Sequence, residues 1–480
     1  MGGVTTLPRS RQYLVLAICC CSLLLVSMDN TIVNVALPAI RADFGASLAD
    51  LQWTIDAYTL VLASLLMLSG STADRIGRRR TFQTGLVVFT LGSLLCSVAP
   101  GLGWLVAARV LQAVGGSMLN PVAMSIITNV FTDPRDRARA IGVWAGVVGL
   151  ALALGPVVGG LLTETVGWRA NFWINVPLGI AALVLAAVFV PESRAARARR
   201  LDPVGQLLVI AGLLTVTTAI IEGPRRGWTS PMVVGAVVVA VIAVVGLVLY
   251  EPRRRDPLVQ VEFFRSAPFT GAVVTAVAVF STFGGFLFLN TLYLQDVRGF
   301  SPLDAGLATL PLALASLVAA PLSGRLVASR GARPPYLVAA VCLTASTLAL
   351  TTLSATTPLW YLLVVYFVFG AGFGMANSPV TNAAVSGMPR EQAGVAAATA
   401  STSRQVGSAL GVAVAGSIAG ASGGTIAAGF PAATHPVWWI AAACSVLVGV
   451  LGLVTTGAWA RGTVERARRP LEEPAPAGAL

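Results

Sequence analysis

The sequence contains no lysine and a single histidine, and charge of either sign is scarce. Charged residues make up 11% of the 480 residues, whereas a soluble domain has about 25%. Without lysine the chain cannot form the phosphate-binding loop that needs one, and no Ser/His/Asp set is present. We therefore expect the protein not to be an enzyme and to have no cofactor. His435, just before the last apolar run, is expected to lie at an interface and not to relay protons.

Cysteine is also sparse, and its positions exclude two further classes of protein. The six cysteines all fall in apolar runs, without metal-ligand spacing or a disulfide pattern, at Cys19, Cys20, Cys21, Cys96, Cys342 and Cys444. The polar segments between the runs are too short for a soluble catalytic or sensory domain. We expect no metal site and no nucleic-acid partner.

Apolar residues dominate, at 56% of the chain. A run of about 18 apolar residues or more can cross a bilayer as a helix. Such runs are approximately 13–37, 50–72, 81–99, 103–125, 139–162, 169–190, 203–221, 231–250, 268–291, 303–328, 335–354, 358–380, 392–419 and 436–459. The sequence therefore predicts an all-α integral membrane protein with 14 transmembrane helices.

The arginines predict the orientation of these helices. If the N-terminus is cytoplasmic, 25 arginines fall on cytoplasmic segments and five on outer segments. Positive charge concentrates on cytoplasmic loops of membrane proteins. We therefore expect a multi-pass protein of the cytoplasmic membrane with both termini in the cytoplasm. The two remaining arginines, Arg109 and Arg404, lie within spans.

A repeated loop predicts how the chain is divided. Gly70–Arg79 follows the second run, and the similar segment Gly324–Arg333 follows the tenth. Repeated halves with a substrate path between them are a common plan of transporters. The predicted segments are a cytoplasmic N-terminus (1–12), a six-helix bundle (13–190), linker segments with an inserted helix pair (191–267, with helices at 203–221 and 231–250), a second six-helix bundle (268–459) and a cytoplasmic tail (460–480). Arginines in the tail are expected to meet anionic lipid headgroups.

Two carboxylates lie well inside the first two runs, at Asp29 and Asp56. An ionisable residue at membrane depth is costly and indicates function by default. Burial disfavours the charged form of a carboxylate, which would let either residue take up and release protons. The alternative is a carboxyl held by a neighbouring hydroxyl or amide for packing alone. Asn30 and Asn34 lie beside Asp29 and Gln52 shares a helix face with Asp56, so these amides are expected to line a substrate cavity.

The two arginines within spans must find acceptors because arginine stays charged. Arg109 could polarise a carboxylate or water in the cavity, or it could only brace the packing of helices. Arg404 suggests a similar role. We place Arg404, its neighbour Gln405 and Gln112 in the predicted substrate cavity.

Two Gly-rich stretches predict close contacts. Gly155-Pro156-Val-Val-Gly159-Gly160 puts three glycines and a proline inside the fifth run, where small residues allow close helix packing. At the other stretch, a carboxylate and arginines at the cytoplasmic face could form a latch between the halves. The latch residues are Gly70, Asp74, Arg75, Gly77, Arg78 and Arg79. A solvated, charge-rich turn is the alternative there.

Several stretches resemble motifs of the major facilitator superfamily and of its fourteen-span drug:proton antiporters. They are, in chain order, Met28–Pro38, Gly70–Arg80, Arg109-Val-Leu-Gln112, Gly155-Pro156-Val-Val-Gly159-Gly160, Trp168-Arg169 to Asn175-Val-Pro177-Leu-Gly179, Tyr293-Leu-Gln295 to Leu310-Pro311, and Arg404-Gln405-Val-Gly407. Thr72, Ala113 and Ala151 depart from the motifs. Ala328 replaces the acidic residue in the second loop, so only the first loop can use a carboxylate there.

The resemblance implies the major facilitator fold and export of amphiphilic or cationic drugs or antibiotics in exchange for protons. It implies that Asp29, Asp56 and Arg109 couple protons to transport. Partners would be the small-molecule substrate, protons and membrane lipid, and we expect a monomer. A proton-coupled symporter that imports a small metabolite is the alternative. The fifth-run motif, which resembles that of exporters, disfavours it.

Overall fold

The structure is a computed structural model that describes residues 8–194, 202–254, 257–258, 260–386, 393–421, 429–460 and 462–464. Helices make up nearly all of these residues, and no strand occurs among them. The α-helices are α1 (Arg9–Phe44), α2 (Leu48–Ile76), α3 (Arg78–Ser97), α4 (Leu102–Val130), α5 (Pro134–Thr165), α6 (Ala170–Trp173), α7 (Asn175–Phe189), α8 (Pro203–Arg226), α9 (Pro231–Tyr250), α10 (Ala267–Leu292), α11 (Pro302–Ala308), α12 (Leu310–Arg330), α13 (Arg333–Leu350), α14 (Leu359–Val385), α15 (Ala393–Ala421) and α16 (Phe430–Val454).

Twelve helical segments among the described residues are long and apolar enough to cross a membrane. The pair α6–α7 forms one of these segments, and α11–α12 forms another. The helices α3 and α15 fall outside this set, although they are 20 and 29 residues long. Arg78, Arg79 and Arg80 in α3, and Arg404 with Gln405 in α15, lower their apolar content. The protein is therefore a multi-pass helical membrane protein, with twelve spans by composition in the part of the chain that the structure describes.

The helices extend beyond several predicted runs, and one predicted loop is almost entirely helical. α2 continues to Ile76 and α3 begins at Arg78, so Gly77 alone separates them. Gly77 has φ +125°, a backbone angle that only glycine adopts readily. Gly70 and Asp74 therefore lie on the last turns of α2. The inserted pair matches its prediction closely at α9, while α8 runs on to Arg226.

The helices pack as two groups with an extra pair between them. The N-terminal helices (α1–α7) contact one another, as do the C-terminal helices (α10–α16). α8 of the inserted pair packs on α2 and on α15, and α9 packs on α8. We call the end that carries Arg41, Arg169 and Arg298 the predicted outer end, and the opposite end the predicted inner end.

The apolar cores show that the two groups meet at the predicted outer end. One cluster joins Ile40 and Ile55 of the N-terminal helices to Phe286 and Leu292 of the C-terminal helices. Nearer the predicted inner end the cores are separate. One cluster lies within the N-terminal helices and includes Val15, Phe82 and Val190. A smaller cluster lies within the C-terminal helices and the segment before them. The described structure is thus closed at one end by a shared core.

Candidate functional site

A buried ion pair joins the first and fourth helices. Nη1 of Arg109 donates directly to Oδ2 of Asp29. Both side chains lie inside the N-terminal helices, with relative exposures of 1% and 0%. Because removal of two charges from water is costly, such a pair persists only when further hydrogen bonds satisfy both groups.

Amide side chains complete the shell around Asp29. Nε2 of Gln112 donates to Oδ1 of Asp29 at 2.8 Å, and Nδ2 of Asn175 donates to the same oxygen at 3.0 Å. Ser93 accepts from both amides, at 2.6 Å from Gln112 and 3.3 Å from Asn175. Four helices, α1, α3, α4 and α7, therefore converge on one carboxylate. In this conformation Gln112 belongs to that network and does not line an open cavity.

The rest of the Arg109 guanidinium contacts neutral groups. Nη1 also donates to Oε1 of Gln112 at 2.7 Å, and Nε donates to the carbonyl of Thr54 at 3.3 Å. The guanidinium lies 4.0 Å from the centre of the Tyr58 ring, a cation–π contact. Asp29 is thus the counter-charge that balances Arg109 in these contacts.

Asp56 has a different environment, although it is equally buried at 0% exposure. Within the described part of the chain, neither of its carboxylate oxygens has a hydrogen-bond partner. A buried charge without partners is strongly disfavoured, so a carboxyl here favours its neutral, protonated form. The structure therefore distinguishes two residues that the sequence treats alike: Asp29 is fully paired, and Asp56 is not.

The predicted cavity amides on the first two helices have other partners in this conformation. Nδ2 of Asn30 donates to the carbonyl of Val26 at 3.3 Å, one turn away on its own helix. Asn34 is buried and donates in the same way to the Asn30 carbonyl at 2.8 Å. Gln52 crosses to α15, where Nε2 donates to the carbonyls of Val412 and Ala413 at 3.2 and 2.7 Å. Gln52 therefore joins the two helix groups instead of facing a cavity.

Arg404 lies on α15 among neutral groups. Its Nη2 donates to Oγ1 of Thr381 on α14. Its guanidinium lies 6.0 Å from the centre of the Phe280 ring, and its Nε has no partner among the described residues. Gln405 is half-buried beside it. Arg404 is therefore remote from the Asp29 network, and the predicted cavity residues do not form one cluster here.

The predicted latch contacts a residue that follows α7. The backbone N–H of Arg79 donates to Oε1 of Glu192 at 3.1 Å, and the Arg78 N–H donates to the Ser193 carbonyl at 2.9 Å. Asp74 pairs with Arg78 one turn away, at 3.2 Å. The φ of +125° requires glycine at position 77, whereas a Cβ there would meet only the movable end of the Glu192 side chain, with Oε1 at 2.6 Å. These partners all lie within or just after the N-terminal helices.

The fifth-helix motif packs against α1 on one side and against α11 on the other. A Cβ on Gly155 would overlap Oγ1 of Thr31 on α1, and one on Gly160 would overlap the carbonyl oxygen of Pro302 at the start of α11. Across the same contact, a Cβ on Gly306 would overlap the carbonyl of Pro156. Gly159 lies against Ile32, where a Cβ would be 3.1 Å from its Cα. α5 runs unbroken through Pro156 and touches the C-terminal helices backbone to backbone.

Polar contacts reinforce this closure at the predicted outer end. Nε2 of Gln295 donates to the carbonyl of Val35 at 2.8 Å, and Arg41 pairs with Asp296 at 3.4 Å. The Leu303 N–H donates to the Glu164 carboxylate at 3.1 Å. Towards the predicted inner end, by contrast, a Cβ on Gly70, Gly142 or Gly146 would meet no atom within 4 Å.

We expect Gly160→Val to destabilise the protein by about 1–3 kcal/mol, since added methyl groups would overlap the Pro302 backbone. Gly142→Val on the same helix is the matched control, because its Cβ meets open space. Thermal unfolding of the two purified variants compares them. Equal losses of stability in both variants would contradict the packing role.

Sequence reasoning missed Ser93, Asn175, Tyr58 and Glu192. Asn175 and Ser93 are polar residues within apolar runs, which is a detectable signal, but no sequence pattern assigns them to Asp29 on another helix. Glu192 lies in the segment 191–267, which the sequence predicts only as a linker with an inserted helix pair. Among the described residues, no group of three or more His, Cys, Asp or Glu side chains could hold a metal ion.

Two groups of membrane-crossing helices that share an apolar core at one end, with a buried ion pair inside the first group, define a polytopic helical protein of the transporter type. The family model of the Major Facilitator Superfamily matches residues 19–412. The chain belongs to the Major Facilitator Superfamily.

Curated relatives are similar over most of their length. The chain is 37% identical to the multidrug resistance protein Stp of Mycobacterium tuberculosis (strain CDC 1551 / Oshkosh), over 83% of this chain and 74% of that protein. It is 37% identical to the tetracenomycin C resistance and export protein of Streptomyces glaucescens, over 86% of this chain and 78% of that protein. It is also 37% identical to the puromycin resistance protein pur8 of Streptomyces alboniger, over 94% of this chain and 92% of that protein.

Solved structures share the fold. The peptide transporter POT in complex with sulfate matches with a TM-score of 0.65 and 15% identity, over 97% of this chain and 96% of that one. A bacterial homologue of the human lysosomal transporter Spinster, inward-facing and unoccupied, matches with a TM-score of 0.63 and 17% identity, over 96% and 99%. At such identities the likeness concerns the fold alone.

Proposed function

We propose that the protein exports amphiphilic or cationic drugs or antibiotics across the cytoplasmic membrane in exchange for protons. The observation that carries this proposal is 37% identity, over 83–94% of the chain, to proteins named for resistance or export. Membership of a transporter family and the buried carboxylates support it further.

Alternating access provides the mechanism. In the described conformation the helix groups are joined at the predicted outer end, so substrate enters from the predicted inner end. Rocking of the two groups then breaks the shared core and the Gly160–Pro302 contact, and substrate leaves on the other side. Asp56 carries the exchangeable proton, because it is buried and has no described partner. Asp29 and Arg109 hold the N-terminal helices in the arrangement that Asp56 requires.

We further propose that α3 and α15 also cross the membrane, which makes fourteen spans. α3 is antiparallel to α4, since its Gly92 lies against Gln112 and its Gly85 against Met118. At 1.5 Å per residue, the 20 residues of α3 extend about 30 Å, the thickness of the apolar layer. α15 is longer and antiparallel to α2. Fourteen spans keep both termini on the cytoplasmic side, as the arginines indicate.

We also propose that the chain is divided as the sequence predicts. Bundles 13–190 and 268–459 rock against each other, and segment 191–267 joins them. The latch residues separate from the second bundle when the predicted inner end opens. The protein acts as a monomer, and the arginines of its tail meet anionic lipid.

Export is tested with cells that carry or lack the protein, exposed to a panel of toxic compounds at two external pH values. We expect higher tolerance to several amphiphilic compounds, and active efflux from preloaded cells that a protonophore abolishes. Accumulation of a nutrient without any efflux would support import instead, and efflux that survives the protonophore would contradict proton coupling.

A further inference from the structure

A groove lies at the predicted inner end, where the first turns of α1 meet the last turn of α7. Its volume is about 450 Å³. The residues that line it are Pro8, Ser10, Arg11, Leu14, Val188 and Phe189. Of these six residues only Arg11 is charged, and most of the others are apolar. The groove therefore combines apolar walls with a single cationic group.

The end of α7 holds the Arg11 side chain in place. Nε of Arg11 donates to the carbonyl of Phe189, and Nη2 donates to the carbonyl of Val188, both at 3.4 Å. The last carbonyls of a helix have no partner within the helix, so an arginine can satisfy them from outside. A guanidinium has five N–H groups, and these two bonds leave Nη1 without a partner among the described residues. Arg11 is therefore fixed in position with donors to spare.

The charge of Arg11 is not balanced by a carboxylate. Two other arginines at this end have acidic partners, since Arg9 pairs with Asp136 at 3.9 Å and Arg80 pairs with Glu192 at 3.8 Å. Arg11 forms no such pair within the part of the chain that the structure describes, and its two bonds go to neutral carbonyls. An anion that entered the groove would therefore meet a positive charge without a competing carboxylate on it.

The groove continues into an apolar surface that faces the bilayer. Val188, Val184 and Ile180 lie four residues apart on α7, so they share one face of the helix. Their exposed fractions are 58%, 56% and 52%. At 1.5 Å per residue this face extends about 12 Å from the groove towards the middle of the membrane. Tyr13 in α1 is 56% exposed, as is common for aromatic residues at the membrane interface.

We propose that the groove binds an anionic phospholipid, with the phosphate on Arg11 and one acyl chain along the exposed face of α7. The cytoplasmic leaflet carries a negative surface potential, and basic pockets between transmembrane helices on that side bind anionic headgroups. A zwitterionic headgroup brings a positive charge towards Arg11 and is less favourable. A free phosphate ion would gain nothing from the apolar walls. The site goes beyond the proposed export function and does not depend on which substrate the protein carries.

The test uses the full-length protein in lipid nanodiscs that contain phosphatidylglycerol with a photoreactive acyl chain. Mass spectrometry then identifies the labelled peptides. We expect the peptides that contain Leu14 and Val188 to be labelled more strongly than α9, where Val241 is 56% exposed and contacts bulk lipid. Unlabelled phosphatidylglycerol should compete for the groove, whereas phosphatidylcholine and inorganic phosphate should not.

We expect Arg11→Gln to reduce labelling of the groove about fivefold, because one arginine near the membrane surface contributes this much to the binding of anionic lipid. Arg139→Gln is the matched control, since its side chain is 78% exposed at the start of α5, outside the groove. Ser10→Glu keeps Arg11 and brings a carboxylate to the lining of the groove. It should reduce labelling as well, and it replaces Arg11→Gln should the latter not fold.

Three results would overturn the proposal. Wild-type labelling in both Arg11→Gln and Ser10→Glu would show that the charge of the groove does not select the lipid. Equal labelling of the groove and of α9, or equal competition by phosphatidylcholine, would show bulk lipid instead of a bound molecule. Competition by inorganic phosphate would assign the site to a free anion. Because the measurement involves no transported substrate, failure of the export function would leave its outcome unchanged.

Discussion

Replacement of Asp29 by asparagine is expected to destabilise the folded protein by about 3–5 kcal/mol. Arg109 would lose its counter-charge and keep only neutral partners, among them the Gln112 oxygen, the Thr54 carbonyl and the Tyr58 ring. Since a guanidinium cannot release its proton, the charge would stay buried. Unfolding of the purified variant in detergent measures the loss.

The reverse replacement, Arg109→Gln, should be less harmful. Asp29 would keep the donors from Gln112 and Asn175, and it could become neutral by taking up a proton. The double variant, Asp29→Asn with Arg109→Gln, should recover much of the stability lost by Asp29→Asn alone, which a double-mutant cycle quantifies. Strictly additive losses in the double variant would contradict a coupled buried pair, and equal losses in the two single variants would contradict the expected difference between them.

Asp56→Asn is expected to have the opposite profile: nearly unchanged stability and severely reduced proton-coupled transport. No described hydrogen bond is lost, and a group that disfavours its charged form is replaced by a neutral one of the same size. We expect the free energy of unfolding to stay within about 1 kcal/mol of the wild-type value. Substrate-induced proton release from proteoliposomes should fall about tenfold or more, since the exchangeable proton is lost.

Thr59→Val is the control for this variant. Thr59 is buried on the same side of α2, and its hydroxyl donates to the Ile55 carbonyl of its own helix at 3.1 Å. It has no ionisable group, so the variant should release protons at a rate close to that of the wild type. Wild-type proton release in Asp56→Asn would show that the exchangeable proton resides elsewhere.

The sequence predicts the family and the multi-pass helical architecture, and both are confirmed. Long apolar runs and ordered motifs are local signals, so they can be recognised from the order of residues along the chain alone. The limit appears at α3 and α15, where arginines and amides within a helix bring its composition below that of a typical span. A helix of this kind gains its stability from neighbouring helices, which apolar content alone does not measure.

The sequence cannot distinguish the two carboxylates, because their difference arises from other helices. Asp29 is paired through Arg109, Gln112 and Asn175, which are 80 to 146 positions away. Helical periodicity predicts which residues share a face, but it does not give the rotation or register of that face against another helix. For the same reason the sequence predicts Gln52 to line the cavity, whereas in the structure it forms hydrogen bonds to α15 of the other helix group.

The shared core at the predicted outer end has a thermodynamic consequence. When the two groups separate there, a single apolar cluster that includes Ile40, Ile55 and Phe286 must divide and expose its faces to the water that fills the opening. Exposure of apolar surface to water raises heat capacity, so the enthalpy of that step changes with temperature. If outward opening limits turnover, Arrhenius plots of transport should be curved. Gly160→Val, which weakens the same junction, should alter that curvature.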